Sequence, residues 1–187
     1  MTVATNFLGQ AEARSQEHRD AFNLLFAAKL YGVCVGLLRQ ELDTLIRLCY
    51  LWRLDTSNAE AVRLMQLSID GSDWKITNAK GKIVRVRDRE MVELATHLGG
   101  WEKVIYEFGC KLIHLSDAHL YRTQDPLRIL TDADRMAIVG YLRSYHSYPG
   151  QSVSFHDLID YLPKVFEKLA GNVSFYVEEL RARYGNA

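Results

Sequence analysis

Apolar residues recur at helical spacing over most of this chain. Between about Ala11 and Arg53, Leu24, Leu25, Ala28, Tyr31, Val35, Leu38, Leu42, Leu45, Leu48 and Cys49 form one stripe, and no proline interrupts it. This predicts one long helix, or two that meet near Gly32, where Gly32 and Gly36 share a face. Ser57 and Glu60 have capping-box spacing before a short helix through Val62, Leu64, Met65 and Leu67, which Asp70-Gly71 should stop. The pattern then changes. Trp74 to Thr77 and Lys82 to Val86 flank the polar, glycine-containing segment Asn78-Ala79-Lys80-Gly81, which predicts a small β-hairpin. Helical spacing returns after Asp88, a candidate cap for Met91, Val92, Leu94 and Ala95, with Gly99-Gly100 as the stop.

A further helix is expected from Trp101 to about Tyr121, with Val104, Phe108, Leu112, Leu115 and His119 along one face and Ile105 and Ile113 widening it. Thr131-Asp132-Ala133-Asp134 opens another, through Met136, Ile138, Val139, Tyr141 and Leu142, ending at Tyr145-His146-Ser147-Tyr148-Pro149-Gly150. The last region starts at Ser154 and runs to Tyr184, with a kink or restart at Pro163 because proline lacks the helical amide donor. Together these elements predict an all-α antiparallel helical bundle with a small β-hairpin insertion near residues 74–86. No repeat or linker divides residues 1–187, so one domain is expected.

Composition narrows the function classes. Lys and Arg number 23, and Asp and Glu also number 23, so no global field pulls the chain toward nucleic acid or an anionic surface. A local patch is still open between Lys75 and Arg89, where Lys75, Lys80, Lys82, Arg85, Arg87 and Arg89 stand against Asp88; the plainer reading is a solvated hairpin. The first residues lack a basic start and a long apolar run, and Lys29, Arg39 and Asp43 interrupt the apolar stretches, so neither a leader nor a membrane span is expected. Cys34, Cys49 and Cys110 lie in apolar helical contexts without CxxC spacing, as small core residues in a reducing compartment would, which points to the cytoplasm.

Two apolar stretches carry ionisable side chains that a plain core helix would avoid, because a buried charge is costly unless paired. In the first, Arg39, Asp43 and Arg47 are spaced by four, so Asp43 can pair with either arginine. They form either an anion site or an ion network within the helix. In the second, Glu107, Lys111, His114 and Asp117 follow one ribbon, and His114, beside Ser116, is a candidate general acid or base or else a histidine at the core edge. The aromatic run from Tyr141 to Tyr148 reads as base stacking or as packing. His114 and His119 are five apart, about 140° around a helix, which disfavours shared metal ligation. No HExxH, P-loop, GxGxxG or GxSxG occurs, and neither metal nor cofactor is expected.

The order Leu38-Arg39, Asp43 and Arg47-Leu48-Cys49-Tyr50-Leu51, followed by Lys111-Leu112-Ile113-His114-Leu115-Ser116, resembles the paired helices of HEPN-like bacterial proteins over about Leu24 to Leu120. The resemblance implies an antiparallel helical bundle, a homodimer, and action on RNA or a nucleotide in a defence or stress system. The usual arginine, four to six residues, then histidine is not intact: Arg14 and His18 enclose three residues, and Arg89 and His97 enclose seven. By this resemblance Arg39 and His114 would be catalytic, one stabilising phosphate charge and the other moving the proton of a ribose hydroxyl. Asp43, Arg47, Lys111, Ser116 and His119 would line the substrate site. The alternative is a non-catalytic homodimeric helical interaction module. A third reading is a bundle holding a small molecule around His114 and Arg39.

Overall fold

The computed structural model describes residues 1–54, 58–77, 80–114 and 116–185. The first predicted stretch is two helices, α1 (Val3–Ala27) and α2 (Tyr31–Arg53). The break comes at Lys29, which takes a left-handed backbone (φ 59°), not at Gly32. Three amides close the turn, with Ala28, Lys29 and Leu30 donating to the carbonyls of Leu24, Phe26 and Leu25. Lysine rarely takes this conformation, so the sequence carries no signal there. Gly32 permits a close approach instead: a Cβ on it would lie 2.8 Å from the Tyr121 ring. Leu24, assigned to the apolar stripe, is 74% exposed near the end of α1.

Helix α2 is the centre of the molecule and packs against α1, α4 (Asp88–Leu94), α5 (Trp101–Ile113) and α8 (Leu162–Tyr184). It is apolar on several faces for that reason; Cys34, Leu42, Leu45, Ile46, Leu48, Cys49 and Leu51 are all buried. One polar contact pins α1 to it. Glu41, fully buried, accepts from Ser15 Oγ and pairs with His18 Nδ1 at 2.7 Å, so the carboxylate is satisfied by two donors from the neighbouring helix.

Helix α3 (Asn58–Ile69) follows, and the expected cap Ser57 lies outside the described residues. The hairpin is present: β1 (Lys75–Thr77) pairs antiparallel with β2 (Ile83–Arg85), with Ile76 opposite Val84. Asn78 and Ala79 of its turn are outside the described residues. Two strands of three residues are marginal alone. Trp74 at their base anchors them: its ring is buried against Tyr50 and its Nε1 donates to Ser68 Oγ at 2.7 Å.

Asp88 is the first residue of α4 rather than its cap, which is Arg87; the Glu90 carboxylate accepts from the Arg87 amide at 3.2 Å. The predicted helix through Ala95 continues only as a 3-10 turn (Ala95–Leu98) before Gly99 and Gly100, both left-handed. Helix α5 stops eight residues short of the expected Tyr121. His114 is extended, and Ser116 starts a 3-10 turn (Asp117–Leu120) by accepting from the Ala118 amide while donating to the Lys111 carbonyl at 2.5 Å. A serine that offers the backbone a local partner competes with the helix here. The ribbon Glu107, Lys111, His114 and Asp117 therefore does not exist as one helical face, Ile113 is half exposed, and Leu115 lies outside the described residues.

Helix α6 (Asp132–His146) begins at the expected capped start, which is a capping box of Thr131 and Asp134. Its Met136, expected on the inner stripe, is 73% exposed. Ser154 and Asp157 cap the short α7 (Phe155–Ile159), and Pro163 sits in the first turn of α8, where its missing amide costs nothing. The all-α bundle with a hairpin insertion therefore stands. No helix among the described residues is long and apolar enough to cross a membrane.

Candidate functional site

The two polar stretches meet, but only in part. Helices α2 and α5 pack so closely at Gly109 that a Cβ there would lie 2.7 Å from Arg39 Cβ. The Arg39 side chain, 8% exposed, continues under Tyr106, with its guanidinium 4.4 Å from the ring centroid. It then donates from Nη2 to Asp88 at 3.0 Å. Burial opposes its charge, but the Cys110 sulfur, Asp88 and Asp43 outweigh that effect and hold its pKa above the usual arginine value. Arg39 does not bond Asp43, the partner its spacing allowed.

Asp43 instead receives Arg47 Nε and Nη2, both at 3.3 Å, and Arg14 Nη1 from α1 at 3.4 Å. Arg47 also reaches Asp88 at 3.3 Å and lies over the Trp74 ring. The result is an alternating row, Arg14, Asp43, Arg47, Asp88, Arg39, drawn from three helices.

Arg14, Arg47 and Asp88 of this row line a cleft of about 840 Å³, open to solvent and bounded by α1, α2, the segment after α3, β2 and the start of α4, while Asp43 and the buried Arg39 lie behind them. Arg14 and Arg47 line it from one side, and Arg85, Arg87 and Arg89 from the other, against Asp73 and Asp88. Asp73 pairs with Arg85 at 2.9 Å, while Arg87 has no carboxylate partner among the described residues. A chain of zero net charge thus concentrates guanidinium groups in one concavity. Guanidinium is a planar donor fork suited to phosphate or carboxylate oxygens. The volume is that of a small-molecule site, for which about 300–1,000 Å³ is usual.

The other predicted site residues lie apart from the cleft. His114 is exposed beyond the last turn of α5, and its carbonyl accepts from His119 Nε2 at 3.0 Å. Lys111 and His119 are exposed, and Ser116 is occupied in capping. None of the four shares a hydrogen bond or ion pair with Arg39, Asp43 or Arg47 among the described residues. No cluster of His, Cys, Asp and Glu there has the arrangement of a metal site.

Sequence reasoning reached Asp43 and Arg47 and missed Arg14, Asp73 and Asp88. The signal for Arg85, Arg87 and Arg89 was the basic run from Lys75 to Arg89, read as a solvated hairpin. Their convergence with α2 depends on where the hairpin docks. No protein-family model, curated protein or solved structure matches this chain.

Proposed function

We propose that this chain binds a phosphate-bearing nucleotide, free or as part of RNA, in the arginine cleft between α1, α2 and the hairpin. The observation that carries the reading is the convergence of five arginines, from α1, α2 and the stretch joining β2 to α4, on one cavity lined by two aspartates. Guanidinium groups side by side repel one another, so such a cluster is favoured where an anion is to be held. The HEPN resemblance adds RNA as a ligand class and a defence or stress role to this proposal. The cleft lining contains neither histidine nor cysteine, so binding, not proton transfer by an imidazole, is the activity proposed for it.

Titration of the protein with AMP and with a short labelled RNA tests the reading. The double variant Arg85→Ala/Arg87→Ala, on exposed residues, should weaken binding by about tenfold or more, a loss of roughly 1.4 kcal/mol. Binding to RNA should also weaken as salt rises. Unchanged affinity in the double variant overturns it.

A second reading, a homodimeric interaction module, rests on Leu24, Val33 and Leu120. These are large apolar side chains at or near the α1–α2 end of the bundle, each about half exposed or more. Sedimentation of the wild type beside Val33→Glu tests it, and a monomer at all concentrations rejects it.

A further inference from the structure

The Asp88 carboxylate is bound as an anionic ligand would be. Oδ2 receives Arg39 Nη2 at 3.0 Å and Oδ1 receives Arg47 Nη2 at 3.3 Å, so each oxygen meets a different guanidinium from α2. The side chain is one-third exposed and forms part of the cleft lining. Asp43, on the far side of Arg47, sits between two arginines in the same way.

The fit is loose. Contacts of 3.0 to 3.4 Å along the row exceed the about 2.7–2.9 Å usual for charge-assisted bonds. Arg39 Nε, buried, has no hydrogen-bond acceptor among the described residues. A buried guanidinium donor without a partner is uncommon and calls for an explanation.

Resting on the cleft reading, we propose that Asp88 is an internal stand-in for a ligand phosphate, and that the cleft selects a terminal phosphate dianion, which displaces it, over an internal phosphodiester. The physical reason is an exchange. A phosphodiester carries one negative charge, as Asp88 does, so replacing the carboxylate gains little. A phosphomonoester carries close to two at neutral pH and offers three terminal oxygens, enough to take over the Arg39 Nη2 and Arg47 Nη2 donors that Asp88 now occupies and still face the cleft with a third. Asp88 can yield because it opens a short helix and is only partly covered.

The test compares the adenosine dinucleotide with and without a 5′-phosphate, and inorganic phosphate, by calorimetric titration of the full chain at pH 7.5 and fixed salt. Wild-type protein should bind the 5′-phosphorylated form at least about tenfold more tightly than the 5′-hydroxyl form. Asp88→Asn, which keeps the shape and removes the competing charge, should bind the 5′-phosphorylated form several-fold more tightly than wild type. Asp88→Ser gives the same comparison should the amide variant misfold, as judged by circular dichroism. Equal wild-type affinity for the two dinucleotides overturns the inference and leaves the cleft reading intact. So does an affinity that is unchanged or weaker in the folded Asp88 variant. Binding of none of the probes by wild type overturns the cleft reading itself. Inorganic phosphate binding as tightly as the phosphorylated dinucleotide supports the dianion preference and removes the nucleoside from the proposed function.

Discussion

Gly109 and Arg39 are in contact across the α2–α5 interface, with no room for a methyl group between the glycine Cα and the arginine stem. The atom in the way is Arg39 Cβ, which is fixed to the backbone of the central helix and cannot swing aside. Gly109→Ala should therefore push the helices apart. Overpacking of this kind costs about 1–3 kcal/mol. The better helix propensity of alanine returns roughly 1 kcal/mol. A net loss is expected, read as a lower urea midpoint with an unchanged slope.

Glu102 should make stability depend on pH. It is fully buried in the first turn of α5, and neither carboxylate oxygen has a hydrogen-bond partner among the described residues. Burial pushes its pKa above the ordinary carboxyl value, with the nearby backbone at Glu102 and Gly100, and then Lys168, opposing. A raised folded-state pKa means that its full contribution is present below the unfolded pKa of about 4.3 and is lost as pH rises through the folded value. Glu102→Gln should raise the melting temperature at pH 8 and match wild type near pH 4. A constant difference across that range would show that charge burial is not the cause.

The three cysteines should differ in reactivity. Burial pushes the Cys34 thiol up to about 11 and the Cys49 thiol up to about 12, so almost no thiolate forms at neutral pH. Cys110 is only partly buried. Brief iodoacetamide treatment followed by mass spectrometry should find Cys110 modified first and the other two only after unfolding.

Purified wild-type protein and His114→Ala should leave total RNA equally intact, because His114 is exposed beyond α5 and the cleft lining holds no histidine. Cleavage lost in the variant would favour the catalytic pairing of His114 with Arg39 over a purely binding cleft.

Periodicity alone determined the helices, the hairpin, the Thr131 and Ser154 starts and the restart at Pro163. Each follows from interactions within about ten residues of chain, where side-chain type and spacing are sufficient. The break at Lys29 and the early end of α5 escaped it, because the first uses a residue type rarely found left-handed and the second turns on one serine competing for the backbone. The spacing of Arg39, Asp43 and Arg47 placed them on one face but did not choose their partners. Asp88 is 41 residues from Arg47, and Arg14 is 29 residues from Asp43. Only the docking of α4, the hairpin and α1 onto α2 brought those charges together, since ion pairs form through space and leave no period in the chain.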